Sequence, residues 1–195
     1  GGRSLREIAR DARFVSALVG AVASWAVMSL LMNATPLSMH RHMHSFDDTA
    51  WVIQWHVLGM FVPSFFTGHL ISRFGEGRIM ASGLLLLTLS AFTNLGGMAL
   101  HNYAVGLALL GVGWNLLFVG ATSLLATVYR PEEKARVQSA NDFLIYGLMV
   151  LTTFGSAPLE EAVGWEILNL MALPLLACVA SVMWMMHRRD RSNRA

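Results

Sequence analysis

The 195-residue sequence has little charge and almost no cysteine. Only 13% of its residues are Asp, Glu, Lys or Arg, and the net charge of +2 gives no basis for binding nucleic acid. The single cysteine, Cys178, excludes a disulfide or a cysteine-based metal site within the chain. The sequence also lacks a Gly-x-x-x-x-Gly-Lys phosphate loop and the His-x-x-Glu-His and Gly-x-Ser-x-Gly patterns of enzymes. We therefore expect neither an enzyme activity nor a cofactor.

Apolar residues dominate what is present. They make up 55% of the chain, and the mean hydropathy is +0.52. A helix of about 20 apolar residues crosses a bilayer core of about 30 Å, and six stretches reach that length. The sequence therefore predicts an all-α membrane protein with six transmembrane helices. The predicted spans cover residues 14–37, 49–71, 78–100, 103–128, 136–157 and 165–186.

Basic residues are distributed unevenly between the two sides of these spans. Thirteen of the 14 lie on one side, in residues 1–13, in the turn after the second span, in residues 130–136 and in the tail 188–195. Only Arg41 lies on the other side. Because cytoplasmic loops of membrane proteins are enriched in Lys and Arg, this pattern predicts that both termini are cytoplasmic.

Small residues recur inside the predicted spans. Gly59, Ser64 and Gly68 lie in the second span, and Gly106, Gly111, Gly113 and Gly120 lie in the fourth. Because lipid supplies no hydrophobic drive between helices, small residues favour association by allowing backbones to approach closely. We expect these residues to lie at helix contacts.

One histidine and one aspartate lie well inside predicted spans, where such groups are costly and often functional. His56 could carry protons between the two faces, because its ordinary pKa is near 6.5, or it could be a neutral side chain bonded to another helix. Asp142 lies about two helical turns from the cytoplasmic end of the fifth span. It could accept a proton, form a salt bridge that acts as a gate, or only pack between helices.

The polar stretch between the second and third spans carries a family resemblance. Its pattern, Gly68-x-Leu70-x-x-Arg73-x-Gly75-x-x-Arg78, resembles the signature loop of the major facilitator superfamily, Gly-x-Leu-x-Asp-Arg-x-Gly-Arg-Lys/Arg. Ser72 stands in place of the aspartate, and Glu76 stands in place of the following basic residue. Such departures are common in the copy of this loop in the second half of the family's members.

The resemblance implies a fold and a function. It implies the C-terminal six-helix half of a secondary transporter in a bacterial-type inner membrane, which moves a small molecule by alternating access, coupled to protons. The partners implied are the substrate, protons, the lipid bilayer and a missing N-terminal half. The chain would then be a partial one. The alternatives are a six-helix scaffold, a channel subunit, or a half-transporter that dimerises.

The family's layout also indicates which residues line the cavity. It places the first and fourth helices along the cavity and the second and fifth at its edges. The substrate-cavity candidates are Asn33, Trp55, Trp114, Asn115 and Phe118. Some of them have a simpler alternative, because an asparagine can bridge helices and the Trp51–Trp55 pair can anchor a helix at the membrane interface.

The resemblance also supplies a gating hypothesis for charged residues at the cytoplasmic side. Gly68, Arg73, Gly75 and Arg78 would form the gating loop, and Asp142 would face the corresponding loop of the missing half. On the opposite side, three histidines spaced by two could in principle bind a divalent metal. No metal site is predicted there, because the chain offers them little carboxylate support. These three residues are His40, His42 and His44.

Overall fold

The computed structural model describes residues 2–194, which form helices, turns and loops without a strand. Gly1 and Ala195, the outermost residues of the predicted cytoplasmic lead-in and tail, lie outside these residues. A 3-10 turn, Pro131–Glu133, precedes the last helix. The α-helices are α1 (Leu5–Ile8), α2 (Ala12–Arg41), α3 (Phe46–Phe61), α4 (Ser64–Phe74), α5 (Glu76–Leu95), α6 (Leu100–Ala126) and α7 (Lys134–Arg194).

Four helical segments are long and apolar enough to cross a membrane. These are α2, α5, α6 and the run Pro131–Arg189, which contains most of α7. The second predicted span is divided into α3 and α4, which meet at Val62 and Pro63. Proline breaks the helix here because it has no N–H to donate to the carbonyl of Gly59. The predicted all-α membrane protein is confirmed, and the six predicted spans are roughly consistent with these helices.

Two glycines make the sharpest turns. Gly75, with φ 83° and ψ 155°, is the only residue between α4 and α5. Gly164, with φ 81° and ψ 167°, breaks α7 into a first arm (residues 134–163) and a second arm (residues 165–194). Only glycine adopts this backbone region readily. The polar stretch after the second predicted span is therefore helical as far as Phe74, and the turn itself is one residue long.

Helices α2 and α6 lie at the centre of the bundle. Helix α2 contacts α7, including its first arm, and α6 contacts α3, α4 and α5 as well as α2. Helix α3, its continuation α4 and the first arm of α7 are sparsely covered and leave many large apolar side chains exposed. The core therefore lies along α2 and α6, with uncovered helices at its margins.

Glycines set the distance between α6 and its neighbours. A Cβ atom added to Gly59 of α3 would lie 2.8 Å from the carbonyl oxygen of Ala108, and one added to Gly111 of α6 would meet the carbonyl oxygen of His56. Between α5 and α6, a Cβ on Gly113 would lie 2.9 Å from the backbone nitrogen of Leu87. The expectation of close helix packing is confirmed at these glycines but is wrong for Gly68, where an added Cβ would have nothing within 4 Å.

Candidate functional site

Three aromatic side chains meet between the two central helices. Trp25 of α2 packs edge-on against Trp114 of α6, with ring centroids 5.0 Å apart and planes inclined at 85°. Phe118, one turn after Trp114, stacks on it at 5.2 Å and 17° and lies 5.8 Å from Trp25. Trp25 and Phe118 are half-buried, so the cluster reaches the surface between α2 and α6. We call these three residues the aromatic cluster.

The indole nitrogens of this cluster have no acceptor among the described residues. The Nε1 atoms of Trp25 and Trp114 are buried, and neither has a hydrogen-bond partner among the described residues. Buried indole N–H groups usually find an acceptor, because leaving one without a partner costs free energy. Two N–H donors beside a stackable ring are suited to a planar aromatic molecule that carries polar acceptors at its edge.

Asn115, the neighbour of Trp114 in sequence, bridges α6 to the junction of α3 and α4. Its Nδ2 donates to the carbonyl of Met60 at 2.8 Å and to Oγ of Ser64 at 2.6 Å, and its Oδ1 accepts from Thr67 Oγ1 at 2.7 Å. The side chain is only 1% exposed. Of the two roles open to Asn115, the geometry favours bridging, because the amide fixes the helix end beside Pro63. Its contact with a substrate stays a prediction.

His56 of α3 is also held against α6. Its Nδ1 lies 2.9 Å from the carbonyl oxygen of Leu107, and the side chain is 0% exposed. Its Nε2 is buried and has no partner among the described residues. The neutral imidazole satisfies this arrangement by donating from Nδ1. The geometry therefore favours the bridging role, and proton coupling by His56 stays a prediction.

Asn33 lies between α2 and the first arm of α7. Its Nδ2 donates to Oγ1 of Thr153 at 3.2 Å, and Ser29, one turn earlier, is hydrogen-bonded to Thr152. Asn33 is half-buried, about two turns along α2 from Trp25. It therefore belongs to the same central helix as the aromatic cluster but not to the cluster itself.

Trp55 lies outside the aromatic cluster. It packs edge-on against Trp51, with centroids 6.1 Å apart, and both side chains are nearly half exposed on α3. Both readings of this pair, substrate stacking and interfacial anchoring, stay open.

Asp142 is exposed on the first arm of α7. Its Oδ1 accepts a hydrogen bond from Asn141 at 3.2 Å, while Gln138 donates to the Tyr129 hydroxyl instead. Among the described residues, no Lys or Arg lies within salt-bridge distance of Asp142. The carboxylate is thus free to meet a cation that another part of the protein supplies.

The residues of the predicted gating loop surround the turn at Gly75. Gly68 is helical and would accept a Cβ without contact. Arg73 and Arg78 are exposed, and Arg73 lies over the Phe74 ring at 5.4 Å. Among the described residues, neither arginine forms a salt bridge. The turn therefore presents two positive charges at one end of the bundle.

Two further groups were not singled out by the sequence. Trp25 completes the aromatic cluster, but its position offered no signal beyond membership of the first span. Glu160, which lies between the fifth and sixth predicted spans, is 1% exposed, and its Oε2 lies 3.2 Å from Nη1 of Arg41. This pair holds the far end of α2 against the first arm of α7. The opposite charges of Arg41 and Glu160 are compatible with an ion pair. The sequence alone does not indicate that two residues so far apart along the chain lie together.

The histidines near Arg41 have protein partners. His42 Nδ1 lies 2.7 Å from the carbonyl oxygen of Ser38, and His44 Nε2 lies 2.8 Å from that of Met98. His40 is exposed. Within the described part of the chain, no three His, Cys, Asp or Glu side chains are grouped in a way that could hold a metal ion.

An ion pair ties the start of the chain to the turn before α7. Arg3 binds both carboxylate oxygens of Glu133, with Nη2 2.8 Å from Oε2 and Nε 3.0 Å from Oε1. The Arg130 backbone N–H donates to Oε2 at 2.9 Å. The Arg3 side chain first, and then the Arg130 N–H, lower the pKa of Glu133 from 4.5 to about 2.

We expect Arg3→Gln to raise the pKa of Glu133 towards its ordinary value. Because the folded-state pKa is lowered, the pair's contribution to stability is complete above about pH 4.5 and is lost as the pH falls towards 2. A carbon-detected NMR titration of the Glu133 carboxyl measures the pKa directly. Arg10→Gln is the control, because Arg10 is exposed at the same end. A Glu133 pKa that stays at about 2 in Arg3→Gln would show that Arg3 is not its cause.

The chain is similar to known proteins over most of its length. The sequence model of the Major Facilitator Superfamily matches residues 17–195. The chain is 43% identical over 178 residues to the riboflavin transporter RfnT of Brucella anthropi, a match that covers 91% of this chain and 45% of that protein.

Two Bacillus subtilis proteins are more distant relatives. The chain is 32% identical over 149 residues to the uncharacterised MFS-type transporter YddS, covering 74% of this chain and 34% of that protein. It is 29% identical over 167 residues to a nitrite extrusion protein, covering 84% and 40%. The chain therefore spans less than half the length of these curated relatives.

Proposed function

This chain belongs to the major facilitator superfamily, and we propose that it forms the C-terminal six-helix half of a secondary active transporter of a small organic molecule. In such transporters, two halves rock about a site near the bilayer midplane. Three features support this assignment: the degenerate copy of the signature loop around Gly75, the uncovered α3 and first arm of α7, and the length of the relatives. The uncovered helices would face a second half that completes the cavity.

We propose a planar aromatic heterocycle of the riboflavin type as the substrate. The aromatic cluster carries this proposal, because it offers a ring to stack on and two indole N–H groups that lack acceptors among the described residues. An offset-stacked aromatic pair contributes about 0.5–1.5 kcal/mol beyond the burial of its area. The 43% identity to a riboflavin transporter supports the same substrate class.

A small inorganic anion is the weaker candidate, although one relative is named for nitrite extrusion. The sequence has no Lys or Arg between residues 14 and 40 or between residues 79 and 129, which contain the aromatic cluster. An anion bound near the bilayer midplane needs a compensating charge, because isolated charges are costly there. A neutral aromatic ring has no such requirement.

Replacing the cluster tryptophans with phenylalanine tests this substrate. Trp25→Phe and Trp114→Phe keep an aromatic ring and remove only the N–H donor. We expect each to raise KM for riboflavin about 2- to 10-fold, the effect of losing one hydrogen bond. The measurement is riboflavin flux into proteoliposomes that contain the full-length protein. The control is Trp165→Phe. The indole nitrogen of Trp165 is also buried without a partner among the described residues, but Trp165 packs against Tyr103, outside the cluster.

Three results would contradict these proposals. Saturable flux of nitrite without flux of riboflavin would overturn the substrate class. An equal change in KM for Trp165→Phe and the cluster variants would show that the cluster does not form the site. If this chain alone gave saturable flux as a dimer, the dimerising half-transporter would replace the C-terminal half.

We further propose a location and a coupling ion. The arginines around Gly75 and in residues 1–13 lie on the cytoplasmic side of a bacterial-type inner membrane, so both termini are cytoplasmic. Transport is coupled to protons. Within this half, His56 is poorly suited to exchanging protons, because its side chain is fully buried.

A further inference from the structure

A cavity of about 600 Å³ opens at the cytoplasmic end of the bundle, away from the aromatic cluster. The start of α2, the Gly75 turn, the start of α5 and the end of the second arm of α7 surround it. Arg13, Arg78 and His187 line it, and Arg188 lies over the ring of the lining residue Trp184 at 4.9 Å. The acidic residue among its described lining is Glu76. The balance of charge at this opening is therefore positive.

One of these arginines is held in place. Arg13 donates from Nη2 to Oγ1 of Thr127 at 2.9 Å, while its backbone N–H donates to Asp11 at 2.8 Å. Arginine binds phosphate oxygens through a planar fork of donors, so a fixed arginine is well suited to a phosphate ester. Arg78 approaches the same cavity from α5.

An apolar groove continues from this cavity. Its volume is about 430 Å³, and it lies between α5 and the second arm of α7. Ala81, Leu84 and Ala180 line both the cavity and the groove, so the two are continuous. Along α5 the groove extends from Ala81 to Phe92, which is about 16 Å at 1.5 Å per residue. That length is close to half the thickness of a bilayer core of about 30 Å.

We propose that this cavity and groove form a binding site for an anionic phospholipid of the cytoplasmic leaflet. The phosphate ester of the headgroup lies between Arg13 and Arg78, and one acyl chain lies along the groove as far as Phe92. Basic pockets between membrane helices on the cytoplasmic side are suited to such headgroups. A soluble phosphate would use the basic end but would leave the apolar groove empty, so the combined shape favours a lipid.

Native mass spectrometry of the delipidated full-length protein tests the site. The probes are phosphatidylglycerol and phosphatidylcholine with the same acyl chains. We expect phosphatidylglycerol to bind at least tenfold more tightly. The double variant Arg13→Gln/Arg78→Gln should weaken phosphatidylglycerol binding by about fivefold for each arginine removed. The control Arg10→Gln/Lys134→Gln changes the charge equally at exposed positions outside the cavity, and its affinity should change less than twofold.

A second experiment distinguishes the lipid from a soluble phosphate. Ala81→Phe places a ring where the cavity joins the groove, at an exposed helix position, and should weaken phosphatidylglycerol binding while leaving the melting temperature unchanged. Glycerol phosphate, which has no acyl chain, should bind at least tenfold more weakly than the lipid. Equal binding of the two lipids would overturn the proposal. Glycerol phosphate binding as tight as that of the lipid would also overturn it. These readouts are independent of riboflavin flux.

Discussion

Replacing Gly83 with alanine is expected to lower the free energy of unfolding by about 1–3 kcal/mol, as is typical of overpacked cores. A Cβ at this position would lie 2.8 Å from the carbonyl oxygen of Gly113 and would meet the backbone nitrogen of Leu117. Both neighbours are helix backbone, which cannot move aside as a flexible side chain does. Helices α5 and α6 would have to separate along their contact. Reversible unfolding in mixed micelles measures the change.

Gly155→Ala is the matched control for this variant. It makes the same chemical change within a helix, but a Cβ on Gly155 has nothing within 4 Å. It should stabilise the first arm of α7 by about 0.5–1 kcal/mol, because glycine is a poor helix former. If the two variants change stability equally, the close approach of α5 and α6 at Gly83 is not a packing constraint.

Asp142→Asn is expected to lower the maximal rate of transport roughly 10- to 100-fold, with little change in KM. We propose that the exposed carboxylate binds a cation of the missing half and so holds the cytoplasmic gate. Losing a charge-assisted hydrogen bond costs about 1.5–3 kcal/mol, and each 1.4 kcal/mol corresponds to about tenfold in rate. Initial rates in proteoliposomes measure the effect. Glu161→Gln, an exposed position at the other end of the first arm, should retain normal rates.

Two assays distinguish a gate from a proton carrier. A gate residue acts each time the binding site changes the side of the membrane to which it opens. Asp142→Asn should therefore slow both gradient-driven uptake and substrate exchange without a gradient. A pure proton carrier would lose only the gradient-driven uptake, and that result would reassign Asp142. His56→Gln should keep its dependence on the pH gradient, since the side chain is buried against Leu107. Loss of that dependence would restore His56 as the coupling residue.

Much of the fold could be predicted from hydropathy because the bilayer imposes one solution on apolar segments. Such segments must satisfy their own backbone polar groups and so become helices. The glycine contacts were also predictable, since small residues mark close approach. Pro63 also indicated a break in the second span, because proline removes a helical hydrogen bond. The contact that holds this break was less predictable, because Asn115 binds the Met60 carbonyl from 55 positions away in the sequence.

The site itself was only partly predictable. Trp114 and Phe118 follow from the family's layout, but Trp25 joins them only because α2 and α6 pack at that level. Glu160 has an ordinary charge at a span end, and its burial beneath Arg41 depends on the path of the first arm of α7. Pairings between residues far apart in the sequence leave no periodic signal within either segment. They appear only once the helices are placed together.

The single-residue turn at Gly75 has a mechanical consequence. Helices joined by a long loop can slide independently, but a connection one residue long has no slack. The end of α4 and the start of α5 therefore cannot move apart, and the close contact at Gly83 joins α5 to α6. Gly164 links the two arms of α7 in the same way at the opposite end. These short connections tie neighbouring helix ends together, so a displacement of one helix end displaces the next.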